Sequence, residues 1–568
     1  MVLHLFLKSI TRSSLIFENR TALFAFGYCM LVHGGWILQS AQKQMLSIMQ
    51  QEERIVADTY LGFASAGGCM TAALIRRRVY DIIKQKMKIR CEMKKKSDSI
   101  KWYGLAAIAF SGVWGFGNVL NGFVYFNGIQ VIFSWLFIFA LYFVPYALMV
   151  GELGSAFPSL EGGVSSWIDS TVGPKVAYFA GWTYWVCHIT YIASKASGGL
   201  KALSWAVFRN AETYDALPSL IVQPLTLVVL LLFCLIASRG INPLKKLASI
   251  AGTSMFVMSL LYILLMFAAP KINPAGDYVH VDFSFKKLLP DFGLGYFSSL
   301  SILIFAVGGV EKISPYVNKV EDSARGFPRG IIAMTVMIVV CAMLGTVAMG
   351  RMFDTAAVQA DFNSYVANGA YWAFQKLGQY YHVGNALMIL YALCNMIGQL
   401  STLLVSIDAP LRMLLGSAHA GDYLPHALLR QNEYGAYTNG IKLVAVLSGG
   451  LILLQTLVPG AANVLAQLVK LNSVCMPFRY LWVFAAYLAL RRSADRFPSE
   501  YRFVRNQHVA RFFGIWCFVL TALSCLLGMY SEDRFTMLLN ILTPIFLASL
   551  GVVMPLLAAR ERRKEMQS

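Results

Sequence analysis

Two glycine-interrupted stretches, Ser111-Gly-Val-Trp-Gly-Phe-Gly-Asn118 and Phe305-Ala-Val-Gly-Gly-Val-Glu311, lie inside long apolar segments about 190 residues apart. A helix in lipid must satisfy its own backbone groups, so an interruption there is costly. It persists where the released N–H and C=O groups line a cavity and bind something. Paired interruptions in corresponding positions of two halves point to the central site of a transporter.

The rest of the chain fits a membrane setting. Of 568 residues, 57% are hydrophobic and only 14% charged, where a soluble domain carries about 25% charged residues. Apolar runs of spanning length, about 17–25 residues, recur near 103–125, 129–154, 176–200, 220–238, 247–269, 296–312, 331–350, 384–410, 442–458, 461–489, 510–529 and 535–558. The expected class is therefore an all-α membrane protein with twelve transmembrane helices. Threaded that way, Lys and Arg gather on one side, most densely from Arg491 to Arg511, which places both ends of the twelve-span core in the cytoplasm. The net charge of +19 is then a topology signal and gives no reason to expect a nucleic-acid partner; membrane lipid is the expected surround. The ten cysteines are scattered and form no C-x-x-C, and neither H-E-x-x-H nor a P-loop occurs. No metal, no cofactor and no enzymatic step are expected.

Residues 1–92 differ from the rest, with two shorter apolar stretches, Thr21–Leu38 and Tyr60–Ile75, and a basic run from Arg76 to Arg90. They read as an amino-terminal extension, upstream of the true start if translation begins at Met93, which opens Met-Lys-Lys-Lys. Residues 93–560 form the expected transporter domain and 561–568 a cytoplasmic tail. Spans 1–5 and 6–10 divide into two five-helix halves with a break in the first helix of each. Five is odd, so the halves enter from opposite sides, a 5+5 inverted repeat plus two extra helices.

Around the first break, Ser111, Gly112, Gly115, Phe116, Gly117 and Asn118 form the candidate substrate-binding segment. The small residues among them remove bulk and release amides, and an unwound helix end there offers N–H groups and a positive dipole to a carboxylate. Close packing by small residues is the competing reading. Around the second break, Phe305, Ala306, Val307, Gly308 and Gly309 offer carbonyls to an ammonium group, with Phe305 as a gate. Glu311 either couples protons and ties the broken helix to its neighbours, or forms a solvated pair with Lys312. Lys470, between apolar neighbours, and Tyr391 are candidates for coupling and gating. Lys195 and Lys201 are expected to snorkel, Arg479, a charge in the tenth apolar run, to face a cavity, pair or snorkel, and His188 either to shuttle protons or to be structural. Asn395, Gln399, Ser401 and Asp408 recur at helical spacing, lining a path or bonding between helices.

Val317-Asn-Lys-Val-Glu-Asp-Ser-Ala-Arg-Gly-Phe-Pro-Arg-Gly330, following Gly-Gly-Val-Glu311, resembles the inner loop after span 6 of the amino acid–polyamine–organocation superfamily. Glu161-Gly-Gly-Val-Ser-Ser-Trp167, Pro145 to Glu152 and Ala237-Ser-Arg-Gly-Ile-Asn242 are similar to its other signatures. The bacterial glutamate/γ-aminobutyrate antiporter branch is most similar, over about 101–560. The resemblance implies a LeuT-like fold, with the substrate α-carboxylate at the span 1 break and its amine at the span 6 break. It also implies a gating aromatic at Phe305 and an acidic role at Glu311. Ser165, Lys312 and Pro315 depart from the family pattern. The expected function is secondary active transport of an amino acid or related amine across the plasma membrane by exchange. Its partners are that substrate and a counter-substrate or proton, and the chain could act alone or as a homodimer. The alternatives are a proton-coupled symporter and an amino-acid-binding sensor without transport.

Overall fold

The computed structural model describes residues 99–457, 476–531 and 533–566. The amino-terminal extension and Lys470 lie outside these, as does much of the segment expected as span 10. Helices of eight residues or more run in chain order as α1 (Trp102–Val113), α2 (Phe116–Tyr125), α3 (Val131–Ile138), α4 (Val144–Ala156), α5 (Val164–Thr171) and α6 (Pro174–Phe208). They continue as α7 (Ser219–Ala237), α8 (Ile241–Ile272), α9 (Leu294–Val307), α10 (Ser323–Gly350), α11 (Phe362–Tyr380) and α12 (Ala386–Leu415). The last are α13 (Thr438–Leu457), α14 (Tyr480–Arg492), α15 (Gln507–Gly528), α16 (Arg534–Ser549) and α17 (Val553–Glu565).

Among the described residues, 10 helical segments are long and apolar enough to cross a membrane, and they coincide with ten of the expected spans. The segment expected at 176–200 is helical too, as the 35-residue α6, but Lys175, His188, Lys195 and Lys201 dilute its hydropathy. Of the segment expected at 461–489, the described part ends in α14.

The broken helices sit innermost. In the most apolar stretch of Gly295–Lys319, 89% of residues are buried, against 67% in Trp102–Tyr125 and 11% in Arg534–Glu565. The last helices instead expose Leu542, Ile545 and Phe546, as lipid-facing surfaces do. Apolar burial drives little helix association in lipid, so close approach at small residues carries the packing. Gly181 of α6 lies where a Cβ would come within 2.8 Å of the Met413 carbonyl oxygen on α12. Gly252 of α8 presses against the Ala107 carbonyl of α1.

One local feature aims a functional side chain. A π-helical turn, Phe139–Phe143, joins α3 to α4. Pro145, at the start of α4, has no N–H to donate to the preceding turn, and its ring crowds that turn's carbonyl. The helix widens there and Tyr146 turns inward, fully buried.

The α1–α8 contact is testable. Gly252→Val should lower the thermal unfolding midpoint of detergent-purified protein, with an overpacking cost of about 1–3 kcal/mol. Gly450→Val, at a position with open space around it, should leave the midpoint unchanged. Equal midpoints for the two variants would refute the close-packing assignment.

Candidate functional site

The first break occupies two residues. Trp114 (φ −124°, ψ 141°) and Gly115 (φ −139°, ψ 158°) are extended between α1 and α2. No side chain caps α2. Asn118 N–H closes back on the Gly115 carbonyl at 2.9 Å, while the Phe116 and Gly117 amides find no partner among the described residues. Gly112 and Gly117 border open space, since a Cβ on either would meet nothing within 4 Å. Ser111 lies in the last turn of α1, where its hydroxyl donates to the Ile108 carbonyl and its own carbonyl accepts from Thr402 of α12.

The second break also spans two residues. Gly308 is extended, and Gly309 takes φ +100°, the left-handed region that favours glycine. A 3₁₀-helix, Val310–Lys319, follows. The carbonyls of Val307 and Gly308 accept no hydrogen bond among the described residues. Asn118 joins the two breaks, its amide donating to Val113 O at 3.3 Å and to Ala306 O at 3.1 Å. The ring of Tyr480 lies directly against Gly308. Phe305 is half-buried and enters none of the aromatic pairs described below.

Below the second break lies a fully enclosed polar cluster. Glu311 is 0% exposed, accepts from the Tyr146 hydroxyl and faces Arg479 Nε at 3.6 Å. The guanidinium also stands 5.2 Å from the Tyr184 ring centre and 5.3 Å from that of Tyr480. His188 Nδ1 is 2.6 Å from the Tyr184 carbonyl. A carbonyl only accepts, so Nδ1 carries the proton and Nε2 is left to accept from Arg479 Nη1 at 3.2 Å. Glu311 and Lys312 are thus buried at depth, and the reading of a solvated surface pair is withdrawn. His188 contacts Arg479 in this cluster. Lys312 and Lys195 place their ammonium groups 5.1 and 4.8 Å from the centre of one ring, Tyr191.

Aromatic packing closes one end of this region. Phe116 lies 4.7 Å from Tyr262 and 4.9 Å from Phe374, and Phe374 stacks on Tyr391 at 4.4 Å. Tyr391 therefore belongs to a lid supplied by α2, α8, α11 and α12. Asn395 of α12 donates to Tyr371 at 2.8 Å and accepts from Gln399 at 3.3 Å, which makes these residues ties between and within helices. At the other end Arg412, 3% exposed, pairs with Asp408 at 2.7 Å and Glu161 at 2.5 Å and donates to Gly435 O. Tyr316 also donates to Asp408, at 2.8 Å. Ile100 N–H to Lys319 O, at 2.7 Å, and Glu321 N–H to Ile100 O, at 2.9 Å, link the segment entering α1 to the segment leaving the second break. His419 bonds Asp169 at 2.9 Å, and this hydrogen bond and charge push its imidazole above the ordinary range.

Sequence reasoning left Arg479 among three roles, facing a cavity, pairing or snorkelling, and did not assign roles to Tyr146, Tyr480, Phe374 or Arg412 at the site. Arg479 carried a usable signal, a permanent charge inside an apolar run. Phe374 and the tyrosines carried none. A surface cavity of about 340 Å³ between Phe267, Tyr278, His280 and Arg351 shares no residue with either break.

Comparison with known proteins points to one family. The family described as amino acid permease matches residues 100–555. An aspartate/glutamate permease of Lactococcus lactis subsp. cremoris is 45% identical over 476 residues, covering 82% of this chain and 96% of that protein. A D-serine/D-alanine/glycine transporter of Escherichia coli is 22% identical over 378 residues, 64% of this chain and 74% of that one.

Arg479→Met should lower folded yield and thermal midpoint, because a buried carboxylate without its cation costs about 3–5 kcal/mol. Adding Glu311→Gln should restore most of the loss; a double variant as unstable as the single would rule out the pairing as its origin. At the surface, the His419–Asp169 tie contributes below the ordinary imidazole pKa and fades as pH rises through the raised one. In Asp169→Asn, the His419 resonance should titrate at lower pH than in the parent, and an unmoved titration would reject the tie.

Proposed function

The chain belongs to the amino acid permease family, as an amino acid transporter embedded in the membrane and not an enzyme, and from that premise we propose exchange by alternating access around the two breaks. The observation that carries this reading is the complementarity of the breaks. Among the described residues one holds amide donors without partners at a helix start, the other carbonyl acceptors without partners, and Asn118 bonds to the helix ends at both. A zwitterion fits between them. Its carboxylate takes the Phe116 and Gly117 amides at the positive end of α2, and its ammonium takes the Val307 and Gly308 carbonyls.

The finer architecture follows from the same reading. Twelve spans form a 5+5 inverted repeat plus two helices, with α1–α2 and α9 with its 3₁₀ extension in equivalent positions. The Lys and Arg distribution sets both ends of this core in the cytoplasm, in the plasma membrane. The Arg412 network then lies on the cytoplasmic side and the Phe116–Phe374–Tyr391 lid on the outer side. With both in place, the described conformation corresponds to an occluded stage. The similarity to an aspartate/glutamate permease puts acidic amino acids first among the substrates to try.

Counterflow in proteoliposomes preloaded with one unlabelled amino acid tests for the carrier, and unloaded vesicles under an imposed pH gradient separate the modes, since obligatory exchange gives no net uptake there whereas proton symport does. Labelled entry should accelerate with the matching preload. Gly117→Leu, which fills the open space at α2 without a backbone clash, should slow it on the order of a hundredfold. Undiminished exchange by a folded Gly117→Leu protein would move the site elsewhere.

A further inference from the structure

The charges buried beside the second break do not balance. Arg479 and Glu311 compensate one another, and Tyr146 takes the remaining carboxylate oxygen. Lys312 is left over. It is 6% exposed, and among the described residues it has neither an ion pair nor a side-chain hydrogen bond; its contact is with the Tyr191 ring. Lys195, on the same ring, adds a second ammonium of the same sign. Residues 458–475, outside the described residues, contain no Asp or Glu.

An uncompensated ammonium at membrane depth is strongly disfavoured, so a mobile anion is the natural complement. The position of Lys312 says which kind. A Cβ built on Gly309 would lie 3.0 Å from Lys312 Cε and 3.4 Å from Nζ. The ammonium therefore stands beside the left-handed glycine of the break.

We propose that Lys312 is a specificity-determining residue that binds the side-chain carboxylate of an acidic amino acid held between the two breaks. This rests on the reading that the substrate sits at the breaks. Aspartate or glutamate presents one carboxylate to the α2 amides and a second to Lys312, and thereby neutralises the leftover charge. Asparagine and glutamine fill similar volume but leave the ammonium uncompensated. Putrescine-like diamines bring more positive charge to a cluster that already holds Lys312, Arg479 and Lys195, and are repelled. Arg479 is already engaged by Glu311 and His188 and acts by holding the cluster in place. Contacts of this kind, between desolvated opposite charges, separate substrates more than apolar fit does.

The test is counterflow with aspartate, glutamate, asparagine and glutamine, for the parent protein, Lys312→Gln and Lys312→Arg. The parent should favour each acid over its amide. Lys312→Gln should lower that acid-to-amide ratio by about 30-fold or more, the range for removing one member of a desolvated charge pair. Lys312→Arg should keep the ratio. If Lys312→Gln fails to fold, Lys312→Met, which keeps the apolar stem, is read by the same ratio. A parent that exchanges the amides as well as the acids overturns the inference and leaves the exchange reading standing. So does an unchanged ratio in the neutral variant, or equal loss of both classes, which marks Lys312 as structural. A parent silent with every amino acid removes the exchange reading and this inference with it.

Discussion

The backbone in lipid must find partners for every N–H and C=O, and the architecture around the breaks follows from how this chain breaks that rule twice. Both interruptions are two residues long and both use glycine, yet they differ in kind. At Trp114–Gly115 the chain stays extended and the following helix offers its amides. At Gly308–Gly309 it swings through a left-handed residue and the preceding carbonyls stay open. Asn118 spends one side-chain amide on both, repairing part of the deficit and fixing the distance between the two breaks. Among the described residues it leaves the Phe116 and Gly117 amides and the Val307 and Gly308 carbonyls without partners.

A second constraint, charge at depth, organises the helices behind the breaks. Glu311 could not be buried alone. Arg479 supplies its cation, His188 and Tyr184 hold Arg479 by a nitrogen lone pair and a ring face, and the π turn ahead of Pro145 brings Tyr146 to the carboxylate. Four segments distant in sequence thus meet at one ion pair. The same logic appears toward the ends of α12 and α14, where Asp408 and Glu161 flank Arg412, and Glu152 takes Arg491 at 2.6 Å. In each case the arginine is buried and tied to a neighbouring loop, so these pairs bind ends together.

Much of this was legible in the chain itself. The apolar runs gave the helices and ten of their spans because membrane thickness imposes a length that composition reveals directly. The glycines gave both breaks to within a few residues; the structure narrows the first to Trp114–Gly115 and puts Ser111 and Gly112 in the helix before it. Glu311 stood out as an ionisable group at a span's margin, but its surroundings did not, and Lys312 read equally well as its solvated partner. Phe305, read from the sequence as a gate or as a lipid-facing or core aromatic, is half-buried, while Phe116, Phe374 and Tyr391 pack on one another.

By itself, then, the sequence determined a membrane-embedded helical transporter with two weakened helices and surplus positive charge, since hydropathy, glycine and charge are properties of single residues and short runs. Only the tertiary structure decided which charge is paired and which is left over. Arg479 lies 168 positions beyond Glu311 in the chain yet faces it at 3.6 Å, while the adjacent Lys312 turns to Tyr191. Pairing at depth depends on which helix faces meet, and that is set by close contacts such as Gly181 on Met413 and Gly252 on Ala107, which no local pattern encodes.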